Sequence, residues 1–170
     1  MNEEDLKHFM DVLKTFDTAM LVTRRDRELR SRPMEIVDRT EDGRIWFITS
    51  IDSAKLEELT ENPYVNVAMQ DDPKFLSISG AVRATRDREK VDEVWKESYS
   101  AWFPEGRDDP TVVLLEIVPT YVEYWDRSGV DALTFMFSAV TGDEPDAEGA
   151  HGKVDFPKKE TEVPRSARRH

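Results

Sequence analysis

The 170-residue sequence contains no cysteine, so disulfides, thiol nucleophiles and cysteine–zinc sites are excluded. Histidine is scarce: His8, His151 and His170 are the only three. His8 reads as the exposed side of a terminal helix and the other two fall in a polar tail, so the sequence offers no metal-ligand set. The seven glycines form neither a Gly-x-Gly-x-x-Gly turn nor a Walker loop. No apolar stretch approaches the roughly twenty residues that span a bilayer. The opening "MNEEDLKHFM" is acidic and lacks the apolar segment of a signal peptide. The expectation is a cytoplasmic protein without membrane contact. Positive charge is also in deficit, with 24 Lys and Arg against 36 Asp and Glu, a net charge of −12. Such a field repels nucleic acid and anionic membranes. It still permits a local basic pocket for one phosphate, and most of the acidity serves solubility.

Alternation of apolar and polar residues dominates what remains. Leu6, Phe9, Met10, Leu13 and Phe16 have helical spacing over 3–16. Strands are then predicted at 19–25, 29–38 and 44–50, the last two joined by the hairpin dipeptide Asp42-Gly43. A short helix over 53–61 stops before Asn62-Pro63. Strands follow at 64–70 and 74–86, an amphipathic helix at 87–103, a loop at 104–110 and a long strand at 111–126. Pro119 marks a bend or an edge in that last strand. A final helix is predicted at 130–140. From Thr141 the chain turns polar, with only "KVDF" at 153–156 reading as strand and 157–170 as a tail. Some six strands with helices set between them favour an antiparallel barrel over a doubly wound sheet. The chain divides into a domain over 1–140 and a polar extension over 141–170.

The stretch "FITSIDSAKLEELTENP" carries the chemistry. Ser53 is placed to cap the helix with its hydroxyl. Lys55 falls in the first turn, where the helix end is already partially positive. Either Lys55 pairs in solvent with Glu58, at i+3, or it meets an anion held by helix amides, the Ser53 hydroxyl and its own ammonium. Arg30 and Arg32 lie two apart on one face of the second strand, and the Asp-Gly hairpin is expected to bring that strand beside "WFITS". An arginine fork, a lysine and a helix start suit a phosphate dianion.

These segments, in this order, resemble the pyridoxamine phosphate oxidase superfamily of FMN-binding split barrels. "FITSIDSAKLEELTENPYVNV" is similar to its Phe/Tyr-x-Thr-x-x-x-Ser-x-Lys segment, "RPMEIV" to its arginine-headed strand, and "VPTYVEYW" to its late strand ending in tryptophan. "FLSISGAVRATRDREKVDEVW" and "WFPEGRDDPTVVLLEIVPTYVEYWD" resemble its general stress protein branch. The likeness covers about residues 5–140. It implies a mainly β fold, a six-stranded antiparallel split barrel, and a homodimer with FMN at the subunit interface. Carried over by residue, Arg32, Ser53 and Lys55 would bind the phosphate. Met34, Phe47, Ile48 and Thr49 would line the isoalloxazine or ribityl chain, partly through backbone groups. Trp125 would approach from the other subunit. Trp102 and Phe103 would either border the pocket or serve as interface and core aromatics.

The chain departs from the true oxidases at three points. Val37 stands where they carry lysine, and Phe75 where they carry glutamine. "DRSGVDALTF" has no counterpart of their terminal Arg-x-His-x-Arg segment. The resemblance therefore implies an FMN-dependent oxidoreductase on an unidentified small molecule, and not a pyridoxamine 5′-phosphate oxidase. The alternatives are a flavin-binding stress or sensor protein without turnover, and a deazaflavin-dependent reductase. The longer acidic tail of a deazaflavin would need basic residues beyond Arg24, Arg25 and Arg30.

Overall fold

The computed structural model describes residues 3–126 and 151–156. The helix expected at 130–140 and the tail at 157–170 lie outside the described residues. Helix α1 (Glu3–Leu13) is followed by strands β1 (Thr18–Arg25), β2 (Glu28–Glu35), β3 (Asp38–Arg39) and β4 (Ile45–Ser50). Helix α2 (Ala54–Glu61) leads to β5 (Tyr64–Asp71) and β6 (Lys74–Thr85). Helix α3 (Arg88–Val94), two single-turn 3-10 helices (Glu97–Ala101 and Gly106–Asp108), β7 (Val112–Asp126) and β8 (His151–Asp155) complete the order.

All strand pairings are antiparallel, in the order β2-β1-β5-β6-β7-β4-β3, with β8 added along β7. The two edge strands, β2 and β3, are consecutive in the chain, separated only by Ile36 and Val37. Ile36 donates its amide to Asp17 on one side, and Val37 donates to Trp46 on the other. One bent, extended stretch therefore supplies both edges and curls the sheet into a split barrel. The expected second strand is this stretch, so six long strands build the barrel and the short β3 and β8 add to them.

Strand period decides what fills it. Ala19 and Leu21 of β1, Val65, Val67 and Met69 of β5, and Leu76 and Ile78 of β6 point inward at every second position. Ile45 and Phe47 of β4 and Leu115, Ile117 and Val122 of β7 meet them. Helix α1 adds Phe9, Val12 and Leu13, and Val154 of β8 lies in the same core. The stretch "VVLLEI" of β7 is buried on both faces, because a second cluster packs outside the barrel. There Val112 and Leu114 meet Val91, Val94, Tyr99 and Phe103, with Trp46, Ile48, Val37 and Trp95 at its margin.

The helix expected over 87–103 is interrupted. Asp87 caps it by accepting from the Glu89 and Lys90 amides, but Trp95 is extended, at φ −63° and ψ 135°. An unbroken helix would aim Trp102 along the row of Val91, Val94 and Trp95. The break turns Tyr99 and Phe103 inward instead, where the Trp95 ring stands edge-on to Tyr99 at 5.7 Å. Trp102 is left 69% exposed.

Pro119 falls between the stretch of β7 paired with β4, ending at Ile117, and the stretch paired with β8, starting at Tyr121. Its missing N–H costs no ladder bond there. Opposite it the β6–β7 register shifts at Ser79/Gly80, and a Cβ on Gly80 would sit 2.5 Å from the Val118 carbonyl oxygen. Glycine is required by that approach.

Candidate functional site

Helix α2 begins directly behind the end of β4. Ser53 occupies the N-cap position, with φ −73° and ψ 130°, but its hydroxyl caps no amide. It accepts instead from the Lys55 ammonium, with Nζ 2.8 Å from the Ser53 Oγ and 2.8 Å from the Thr49 Oγ1. The cap expected from sequence is thus a hydroxyl spent on lysine, because the first-turn ammonium folds back over the helix start. Lys55 forms no ion pair with a described carboxylate. Burial lowers its pKa, the Arg32 charge lowers it further, and the charge of Glu58 offsets this only in part.

Glu58 is not the surface partner of Lys55 that the spacing allows. Its side chain is 1% exposed and turned toward β1 and β2. Its Oε2 accepts from the Thr23 hydroxyl at 2.5 Å and from Arg32 Nη2 at 2.8 Å, and its Oε1 accepts from Arg30 Nη1 at 3.1 Å. Arg32 Nη1 also donates to the Thr23 Oγ1 at 3.1 Å. Burial pushes the Glu58 carboxyl up, but these bonds and the Arg32 charge outweigh it and hold the pKa below the ordinary value. Arg30 and Arg32 do share one face, as their spacing predicts. They reach α2 across β1 rather than beside β4, because β2 pairs with β1 and, of that stretch, β3 alone pairs with β4.

The remaining expected residues separate by face. Thr49 points inward beside Lys55, and Phe47, two positions earlier, is fully buried in the barrel core. Phe47 therefore offers a ligand only its backbone. Ile48 faces the opposite way, into the outer cluster. Met34 lies in the core two residues from Arg32 on the same face. Phe103 is a core aromatic of the outer cluster, and Val37 packs at its margin. Trp125 lies far from Lys55 within one chain. Thr49 pairs with Val113, and Trp125 is a further twelve residues along β7, roughly 40 Å of strand.

Trp125 instead borders a groove of about 410 Å³ on the outer sheet face, with Met20, Pro33, Ala68, Phe75 and Ser77. His8 is half-buried rather than exposed, its ring 4.9 Å from that of Tyr124. Among the described residues no group of three or more His, Asp or Glu could hold a metal ion. Nor is any helix there long and apolar enough to cross a membrane. Sequence reading missed Thr23 and Glu58. The signal was present in Arg30 and Arg32, two cations on one strand face to which an acidic residue of a neighbouring element can pair.

The family model for pyridoxamine 5′-phosphate oxidase like proteins matches residues 4–146. General stress protein 26 of Bacillus subtilis (strain 168) is 31% identical over 126 residues, covering 70% of this chain and 87% of that protein. The crystal structure of the general stress FMN/FAD binding protein of Xanthomonas citri is 31% identical, with a TM-score of 0.63 over 73% of this chain and 89% of that one. At 23% identity, General Stress Protein 26 of Bacillus anthracis str. Sterne shares the fold, with a TM-score of 0.64 over 70% of this chain and 92% of that one. By sequence and by fold, the chain belongs to the pyridoxamine 5′-phosphate oxidase-like family, on its general stress protein 26 branch.

Proposed function

We propose that this protein binds FMN through its phosphate at Lys55, Ser53 and Arg32, and works as a flavin-dependent oxidoreductase on a small molecule. The observation that carries the reading is the state of Lys55. Its ammonium is half-buried, meets among the described residues only the Thr49 and Ser53 hydroxyls, and stands in the field of Arg32. A phosphate would relieve both the burial and the repulsion. Both hydroxyls and the start of α2, which no side chain caps, add donors to the same point. The donor set therefore fits the phosphate of a flavin mononucleotide. The related Xanthomonas citri protein, described as FMN/FAD binding, agrees with this choice.

Bound flavin would supply the two-electron chemistry, and the chain would bind, orient and shield it. Phe47, Ile48 and Thr49 would offer backbone groups of β4 to the flavin, the Ile48 side chain being turned to the outer cluster, with Met34 closing the inner margin beside Arg32. A second copy would complete the site. Trp125 is too distant to serve its own Lys55, and it lies on an outer sheet face where Met20, Pro33, Ala68 and Ser77 carry no charge. In a chain that is 35% charged, such a face suits a homodimer interface. Val37 in the outer cluster and Phe75 at the groove replace polar groups of the true oxidases, so pyridoxamine 5′-phosphate would lose hydrogen-bonding partners.

The test is the absorption spectrum of the purified protein and identification of the cofactor released on denaturation. FMN, bound more tightly than riboflavin, is expected. The FMN-loaded protein should be reduced by NADH or NADPH, and should turn over quinones but not pyridoxamine 5′-phosphate. A colourless protein with equal affinity for FMN and riboflavin would refute the site. Robust pyridoxal 5′-phosphate formation would refute the substrate reading.

A further inference from the structure

We propose that Glu58 is a positioning residue for the anion site: its buried carboxylate clamps Arg32 so that the guanidinium meets a phosphate monoester as a fixed fork. The inference rests on the flavin-phosphate reading above and extends it to a residue that would not itself touch the ligand.

A carboxylate with 1% exposure persists only if its lone pairs are met. Those of Glu58 are met by three groups from two strands: Thr23 of β1, and Arg30 and Arg32 of β2. The bonds close a ring. Arg32 Nη2 donates to Glu58, Arg32 Nη1 donates to Thr23, and Thr23 donates to Glu58. A guanidinium is a rigid plane, so fixing both terminal nitrogens fixes its orientation. The clamp uses one N–H on each terminal nitrogen. It leaves the other two and Nε–H without a partner among the described residues, and the Lys55 ammonium already senses the Arg32 charge.

Arg30, 40% exposed, is spent on two carboxylates, Glu58 and Glu28, so Arg32 and Lys55 are the cations left to face a ligand. A phosphate monoester brings them a charge near −2 at neutral pH. Without Glu58 the cluster would be more cationic but Arg32 would be unheld. Phosphate would then meet a mobile cation in place of a fixed fork, and affinity falls when the ligand itself must order its partner.

The experiment measures apo-protein dissociation constants for FMN, for riboflavin and for inorganic phosphate in competition with FMN, using flavin fluorescence. The variants are Glu58→Gln and Lys55→Met, with melting temperatures recorded for each. Glu58→Gln is expected to weaken FMN and phosphate about tenfold, the effect of one misplaced charge-assisted bond. Riboflavin affinity should move less than about twofold. A residue that only held the fold together would weaken both flavins alike. If Lys55→Met selects against FMN while Glu58→Gln leaves FMN binding unchanged or tighter, the positioning role is overturned and the phosphate site stands. If neither variant separates FMN from riboflavin, the phosphate site falls and this inference with it. Should Glu58→Gln not fold, Thr23→Val opens the same ring with nearly unchanged shape. It is expected to cost FMN about threefold with riboflavin unmoved, and loss of that selectivity overturns the proposal.

Discussion

Lys55→Met separates binding from stability in a way that few substitutions do. The variant keeps most of the apolar stem and removes the ammonium. In the free protein that ammonium has two hydroxyl partners at 2.8 Å and, among the described residues, no carboxylate. Its charge is disfavoured by burial and by Arg32, and it sits at the positive end of α2. Removing it should leave the apo melting temperature unchanged or slightly higher, since a misplaced helix-end charge costs a few tenths of a kcal/mol. Binding responds in the opposite direction. A charge-assisted hydrogen bond to phosphate contributes roughly 1.5–3 kcal/mol, so FMN should bind roughly tenfold to a hundredfold more weakly. Riboflavin, which has no phosphate, should bind as before.

The pH dependence carries a second signature of the same group. Phosphate favours the charged form of Lys55, whereas burial in the free protein disfavours it. FMN affinity should therefore hold from neutral pH up to the lowered pKa of the free protein and fall as pH rises through it. The fall should be absent in Lys55→Met. Fluorescence titration with both flavins across alkaline pH, alongside calorimetric melting, tests all of this. A variant that loses stability and binds both flavins less well would show that Lys55 is a packing residue, and the reasoning would fail.

Three further outcomes follow from the fold. The Glu58 carboxyl is held below its ordinary pKa, so its stabilisation is present above that value and is lost as pH falls through the folded one; melting temperatures between about pH 5 and 3 should decline less steeply in Glu58→Gln than in the parent. Gly80→Ala places a Cβ 2.5 Å from a backbone oxygen of β7, and denaturant titration should register a loss of about 1–3 kcal/mol; an unchanged midpoint would contradict the close approach. Light scattering should give twice the chain mass, and Met20→Glu, which puts a charge on the groove face, should shift it toward the monomer and release flavin; a monomeric parent that retains flavin would refute the interfacial site.

Elements whose residues answer to one neighbour were legible in the sequence. Strands β1, β5 and β6 alternate because one face meets the core and the other does not, and their limits fall within a few residues of those expected. Helix α2 stops before Pro63 for a local reason and is found where local reasoning put it. What escaped was decided by distant partners. The break after Val94 is set by Tyr99 and Phe103 packing against β4 and β7, which helical spacing does not register. The division of the second strand at Ile36 comes from barrel closure, in which one stretch must pair with β1 and then with β4. At the site, Lys55, Ser53 and Thr49 were legible because one short segment brings them together. Glu58 was hidden because its partners come from residues 23–32, and a glutamate three positions from a lysine looks like a surface pair.

The cationic cluster has its origin in strand period. Along the inward rows of β1 and β2, Ala19 stands opposite Met34, Leu21 lies beside Arg32, and Thr23 lies beside Arg30. The rows pass from core into charge within three pairs, because there the barrel interior ends and helix α2 begins to cover it. Leu56 and Leu59 of that helix reach the core, while Lys55 and Glu58, on neighbouring positions, meet the polar end of the rows. The helix therefore does two things with one turn: its leucines close the barrel and its charged residues gather the arginines. A chain with a net charge of −12 can concentrate three cations at one point because the buried ends of two strands, and not its surface, decide where they stand.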